Sequence, residues 1–167
     1  MKKKEYDRSQ AVAYARRWAL FRNPAYADFE EMGGDCTNFV SQCLFAGSGV
    51  MNFTPVFGWY YINFKKRSPA WSGVEYLWRF LVENKGPGPY GSAVGLEAVK
   101  PGDVVQLGRI GAGFTHAALI TETAPRILVC AHTYDSLDRP LDTYDHELRR
   151  FFHVDGVMVD ANGADVL

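Results

Sequence analysis

Apolar residues recur at three- and four-residue intervals in the first half of the chain and give way to short apolar runs in the second. From Asp7 to Phe21, the residues Ala11, Tyr14, Ala15, Trp18 and Ala19 form one stripe while Arg8, Arg16 and Arg17 take the solvated sides, which predicts a helix over 7–21. Asn23-Pro24 stops it. After Gly33-Gly34, Asp35 stands at an N-cap position ahead of Cys36, Phe39, Val40, Cys43 and Leu44, so a second helix is expected over about 36–46, ending at Gly47 and Gly49. Residues 50–71 are aromatic without a sustained period and read as a long functional or packing loop. Ser72 and Glu75 have the spacing of a capping box ahead of Tyr76, Leu77, Phe80 and Leu81, which predicts a third helix ending near Asn84.

Beyond Gly86-Pro87-Gly88-Pro89 the pattern changes to strands: Val104 to Leu107, Thr115 to Thr121, Ile127 to Thr133 and His153 to Val159. Helices followed by strands predict an α+β fold in which N-terminal helices pack on a C-terminal antiparallel sheet spanning about 103–159. The 167 residues fit one domain over 1–167, large enough to bury a core.

Charge narrows the function classes. Residues 1–22 hold seven Lys or Arg and two acids, net plus five, against minus one for the whole chain. The basic end is therefore local, and a nucleic-acid-binding face, which needs basic residues across the fold, is not expected. A membrane or nucleic-acid adaptor using that end is the reading from a different class. Glu5, Asp7, Arg8 and Gln10 interrupt the stretch where a signal peptide would be apolar, and no apolar run is long enough to span a membrane. A cytoplasmic location is the expectation. Three cysteines, Cys36, Cys43 and Cys130, lack close repeated spacing and do not suggest a disulfide framework.

Cys36 is the most informative position. A thiol in the first turn of a helix meets unpaired backbone N–H groups and the positive end of the dipole, which favour the thiolate. Cys43 and Cys130 read as core. A nucleophilic thiol needs a base, and histidine suits that task near neutral pH. His116 opens one strand and His132 closes the next, so a hairpin would bring both to one end; His146 lies in a charged, solvated stretch and His153 reads as a packing histidine. Trp59, Tyr60, Tyr61 and Trp71 either line a substrate cleft or cover the core. No metal or cofactor is expected: Cys36 and Cys43 stand two helical turns apart, roughly 10 Å, too far for one tetrahedral ion.

The segments GGDCTNFVSQCL, WYY, SPAW, PGDVVQL, THAALIT and AHTYDSLDRPL resemble the amidase domains of Gram-positive bacteria, in the papain-like group with NlpC-type cell-wall peptidases and CHAP amidases, over about residues 6–157. The resemblance implies a papain-like cysteine hydrolase with Cys36 as nucleophile, His116 as general base and His132 orienting the imidazole. Asp35 matches the acidic residue before the cysteine and is assigned capping alone. Glu30 stands where papain places its oxyanion-hole glutamine and cannot donate when ionised, so Tyr26 is the substitute donor. The implied partner is a peptide or peptidoglycan substrate, cut at an amide of a stem peptide or cross-bridge and reached by release to the wall or spore. A non-catalytic wall- or ligand-binding module retaining the fold is the alternative.

Overall fold

The computed structural model describes residues 1–161, so the last six residues of the domain expected over 1–167 lie outside it. Helix α1 spans Arg8–Trp18, capped by the Asp7 carboxylate on the Gln10 N–H. It stops three residues before the expected end because the Trp18 carbonyl leaves the helical ladder, accepting from the Phe21 N–H at 3.2 Å and from His132 Nε2 at 2.7 Å. Helix α2 spans Cys36–Ser48 and ends on Gly49 in the left-handed conformation, whose N–H returns to the Phe45 carbonyl.

The stretch expected as a loop over 50–71 is partly ordered into β2 (Tyr61–Asn63) and β3 (Lys66–Arg67), a hairpin followed by the short helix α3 (Pro69–Ser72). Helix α4 spans Val74–Glu83. The expected capping box is not formed. Pro69 starts a helical turn early, its carbonyl takes the Gly73 N–H, and Gly73 becomes the N-cap of α4. Ser72 instead accepts from Arg67 and Glu75 from Arg150.

The remaining strands are β4 (Gly88–Val94), β5 (Val104–Arg109), β6 (Gly113–Glu122), β7 (Leu128–Ala131), β8 (Ser136–Pro140) and β9 (Leu148–Val159), joined by an N-terminal β1 (Lys2–Lys4). They form one seven-stranded sheet in the order β1-β9-β5-β6-β7-β8, with β4 also pairing β9, and every pairing is antiparallel. The α+β expectation holds.

Both faces of the central strands are covered. Ala117 and Leu119 of β6, Cys130 and Phe152 meet Phe39, Val40, Cys43, Leu44, Leu77 and Leu81 of the helices, whereas Ala118, Ile120, Val105, Val129 and Phe151 form a second cluster behind the sheet. This is why Ala117-Ala118-Leu119-Ile120 reads as a continuous apolar run instead of alternating. The Pro101-Gly102-Asp103 turn is held by the fully buried Asp103, which accepts from Arg8, His153 and the backbone N–H groups of Lys100 and Val154. His153 is thus a paired packing histidine, as its sequence suggested.

Candidate active site

Helix α2 delivers Cys36 to the edge of β6. Strand β7 pairs with β6 only from Leu119 onward, so at Ala117 that edge is open, and the backbone of Ala117 hydrogen-bonds to the Cys36 thiol. The thiol also lies 3.8 Å from Thr37 Oγ1. Burial pushes the Cys36 thiol up, and the hydrogen bonds from Ala117 and Thr37, which favour the thiolate, do not overcome it; the Asp35 charge adds to the rise. The depressed thiol expected from the helix start is therefore corrected: at 7% exposure, desolvation outweighs the dipole.

His116 is the residue before Ala117. Its ring is tilted against Tyr144 at 5.5 Å, and its buried Nε2 has no hydrogen-bond partner among the described residues. Burial, helped by the positive charge of Arg139, lowers its pKa from 6.5 to about 4, so it rests as a neutral imidazole. It lines a cavity of about 240 Å³ with Leu107, Thr115, Thr133, Tyr134, Tyr144 and His146. Along β6, His116 has the parity of Ala118 and Ile120, the residues behind the sheet, while Ala117 faces the helices. Cys36, on the helix side, and His116, with the parity of the opposite face, thus lie to either side of one open strand edge, as a neutral thiol and a neutral base with no hydrogen bond between them among the described residues.

His132 takes another role than the one expected. Its Nδ1 is 2.5 Å from Asp35 Oδ2 and its Nε2 is 2.7 Å from the Trp18 carbonyl, so neither ring nitrogen is left to orient His116. The physical reason is facing: His132 stacks on Phe39 of α2 at 4.1 Å, on the helix side of the sheet. A carbonyl and a carboxylate both accept, so His132 donates from both nitrogens when Asp35 is ionised, as a buried ion pair. Burial opposes charge on Asp35, but hydrogen bonds from His132, Asn38 and the Phe29 N–H hold its carboxyl below the usual range. Asp35 does not cap α2 through its side chain, contrary to expectation. That leaves it free to bind His132, and the first-turn N–H groups stay uncapped by it.

The loops around Asp35 converge on Arg22, which pairs with Asp28 at 3.3 Å, Glu30 at 3.2 Å, Asp35 at 3.6 Å and Asp135 at 2.9 Å. Thr133 Oγ1 accepts from the Asp35 N–H at 3.0 Å and donates to Glu30. This close approach needs Gly34: its φ is +108°, and a Cβ there would lie 3.2 Å from the Thr133 hydroxyl.

The aromatic residues divide. Trp59 and Trp71 are fully buried, donate to Ser41 and to the Asn38 side chain, and cover the core instead of lining a cleft. Tyr60 stacks on Phe53 at 5.5 Å. Tyr26 packs on Tyr61 and Trp71. Residues the sequence pattern does not disclose are Thr133, Tyr144 and His146; the last lies in a charged stretch that suggests solvent, yet it lines the cavity and is turned by the Tyr144 carbonyl, 2.9 Å from its Nδ1.

The family model described as Putative amidase domain matches residues 5–154. The chain belongs to this amidase-domain family. It is 33% identical over 161 residues to the uncharacterized protein YhbB of Bacillus subtilis (strain 168), an alignment covering 90% of this chain and 50% of YhbB. The chain therefore spans about half the length of that relative. No solved structure matches it. Among the described residues, no helix is long and apolar enough to cross a membrane.

Proposed function

We propose that this chain is a papain-like cysteine amidase acting on an amide of peptidoglycan peptides, with Cys36 as nucleophile and His116 as general base. The observation that carries the reading is the thiol at the start of α2, held by the backbone of Ala117, with the preceding strand residue, His116, keeping a buried Nε2 that has no hydrogen-bond partner among the described residues. Because both groups rest neutral, attack is coupled to proton transfer: the thiol proton passes to His116 as Sγ bonds to the carbonyl carbon. The backbone N–H of Cys36, uncapped by Asp35, donates to the oxyanion, and Tyr26 is the side-chain candidate for a second donor. The imidazolium then protonates the leaving amine as the C–N bond breaks. Water attacks the thioester with His116 again as base, giving the acid and the free thiol. His132 acts through Asp35, fixing the residue before the nucleophile.

Catalytic hydrogen bonds in unliganded sites are commonly longer than in the substrate complex, which fits an open thiol–imidazole pair. The neutral pair equally suits a binding module that keeps the fold without turnover. The test is amine release from soluble wall fragments by the wild type, Cys36→Ala and His116→Ala. The proposal expects release that both substitutions abolish; equal release by Cys36→Ala would overturn it, and fragment binding without release would favour the binding module.

A further inference from the structure

The turn joining β7 to β8 is strained at the mouth of the His116 cavity. Ala131 pairs with Ser136, and between them Thr133 and Tyr134 take φ of 58° and 61°, the left-handed region that hairpin turns of this kind normally fill with Gly, Asn or Asp. Neither residue suits the conformation, and the β-branched Thr133 suits it least. Thr133 has a structural reason to be there, because its hydroxyl joins the Asp35 N–H to Glu30. Tyr134 has none of that kind. Its side chain is 84% exposed, the highest exposure of any large apolar or aromatic side chain among the described residues, although it lines the same cavity as His116, Tyr144 and His146.

A large ring held in water, in a backbone conformation that disfavours it, lowers stability at that position without packing in return. Strain of this sort clusters where a ligand is gripped. We infer that Tyr134 is a substrate-contacting residue of the amidase proposed above, an aromatic platform at the mouth of the cavity on which the amide substrate lies while its carbonyl approaches Cys36. The inference rests on that proposal. It adds that substrate enters past the 132–135 turn, on the side of His116, and not past Trp59 and Trp71, which are sealed in the core. The turn is tied to the nucleophile's own helix start through the hydrogen bond from the Asp35 N–H to Thr133, which anchors the base of the platform near the thiol's helix.

The inference separates affinity from stability. Tyr134→Gly removes the ring and relieves the positive φ, so the variant should melt no lower than the wild type. Its KM for soluble wall fragments should rise about five- to ten-fold, the loss of one aromatic contact, with kcat changed less than about two-fold. Tyr134→Phe keeps the ring and should restore the wild-type KM. An unchanged KM in Tyr134→Gly, while the wild type turns over, overturns the inference alone. A clear fall in melting temperature overturns it too, since the ring would then be structural. Wild-type release no greater than that of Cys36→Ala overturns the amidase reading and this assignment with it.

Discussion

Replacing Asp35 tests the buried network most severely. The carboxylate is fully buried and accepts from the Phe29 N–H at 2.9 Å, Asn38 Nδ2 at 2.8 Å and His132 Nδ1 at 2.5 Å. Asp35→Ala strands all three donors and leaves the His132 ring facing a cavity where its carboxylate partner stood. Each unsatisfied buried donor costs about 1–3 kcal/mol, and breaking a buried ion pair by removing one partner costs about 3–5 kcal/mol; the terms overlap, so a total near the latter range is expected. In a domain of this size that lowers the melting temperature by roughly 6–20 °C. Asp35→Asn should be far milder. Its oxygen can keep Phe29 and Asn38, while its NH2 group donates to a neutral His132 that still donates from Nε2 to Trp18, so these hydrogen bonds are retained while the attraction of Arg22 at 3.6 Å is lost, and the cost should be about 1–2 kcal/mol. The variants also differ in pH response. Asp35 has a lowered pKa, so its contribution is fully present above the unfolded-state value near 4 and is lost as pH falls through the still lower folded value; Asp35→Asn should lack this acid loss. Thermal and denaturant unfolding at pH 7 and below pH 4 would measure both effects. Wild-type stability in Asp35→Ala, or equal damage from both substitutions, would refute the ion-pair reasoning.

Two further outcomes follow from the site's resting charges. His116 should titrate near 4 by NMR, and stability should fall as pH drops from about 6.5 to about 4, because the unfolded chain binds that proton first; a value near 6.5 would contradict its burial. Cys36 should be alkylated slowly at pH 6 and faster as pH rises into the alkaline range, yet ahead of Cys43 and Cys130, which are fully buried; rapid labelling at pH 6 would show a thiolate that the structure does not hold.

What the sequence disclosed is what local periodicity encodes. The stripes of α1 and α2 and the position of Cys36 in the first turn of a helix are fixed by residues close in the chain, and so are the apolar strands β5 to β7. Strands β1, β4 and β8 were hidden because Lys2-Lys3-Lys4, the Gly-Pro start of β4 and the Arg139-Pro140 end of β8 have no strand-like pattern; long-range partners in β9 and β7 supply their ladders. Site assembly was legible only in part. A hairpin does bring His116 and His132 toward one end of the sheet, but the face each occupies depends on register. Parity sends His116 behind the sheet with Ala118, and His132 toward α2, where Asp35 claims it. The aromatic loop could not declare Trp59 and Trp71 as core, since aperiodic residues carry no facing signal and their burial follows from where β2, β3 and α3 fold.

The central claim is that Cys36 forms a covalent thioester with the acyl half of an amide substrate. Acid-quenching the wild-type protein during turnover of soluble wall fragments, followed by peptide mapping in a mass spectrometer, measures this directly. The account predicts an acyl adduct on the peptide that carries Cys36 and no adduct in Cys36→Ala, which should also be inert. An adduct on another residue, or undiminished amine release by Cys36→Ala, would contradict it.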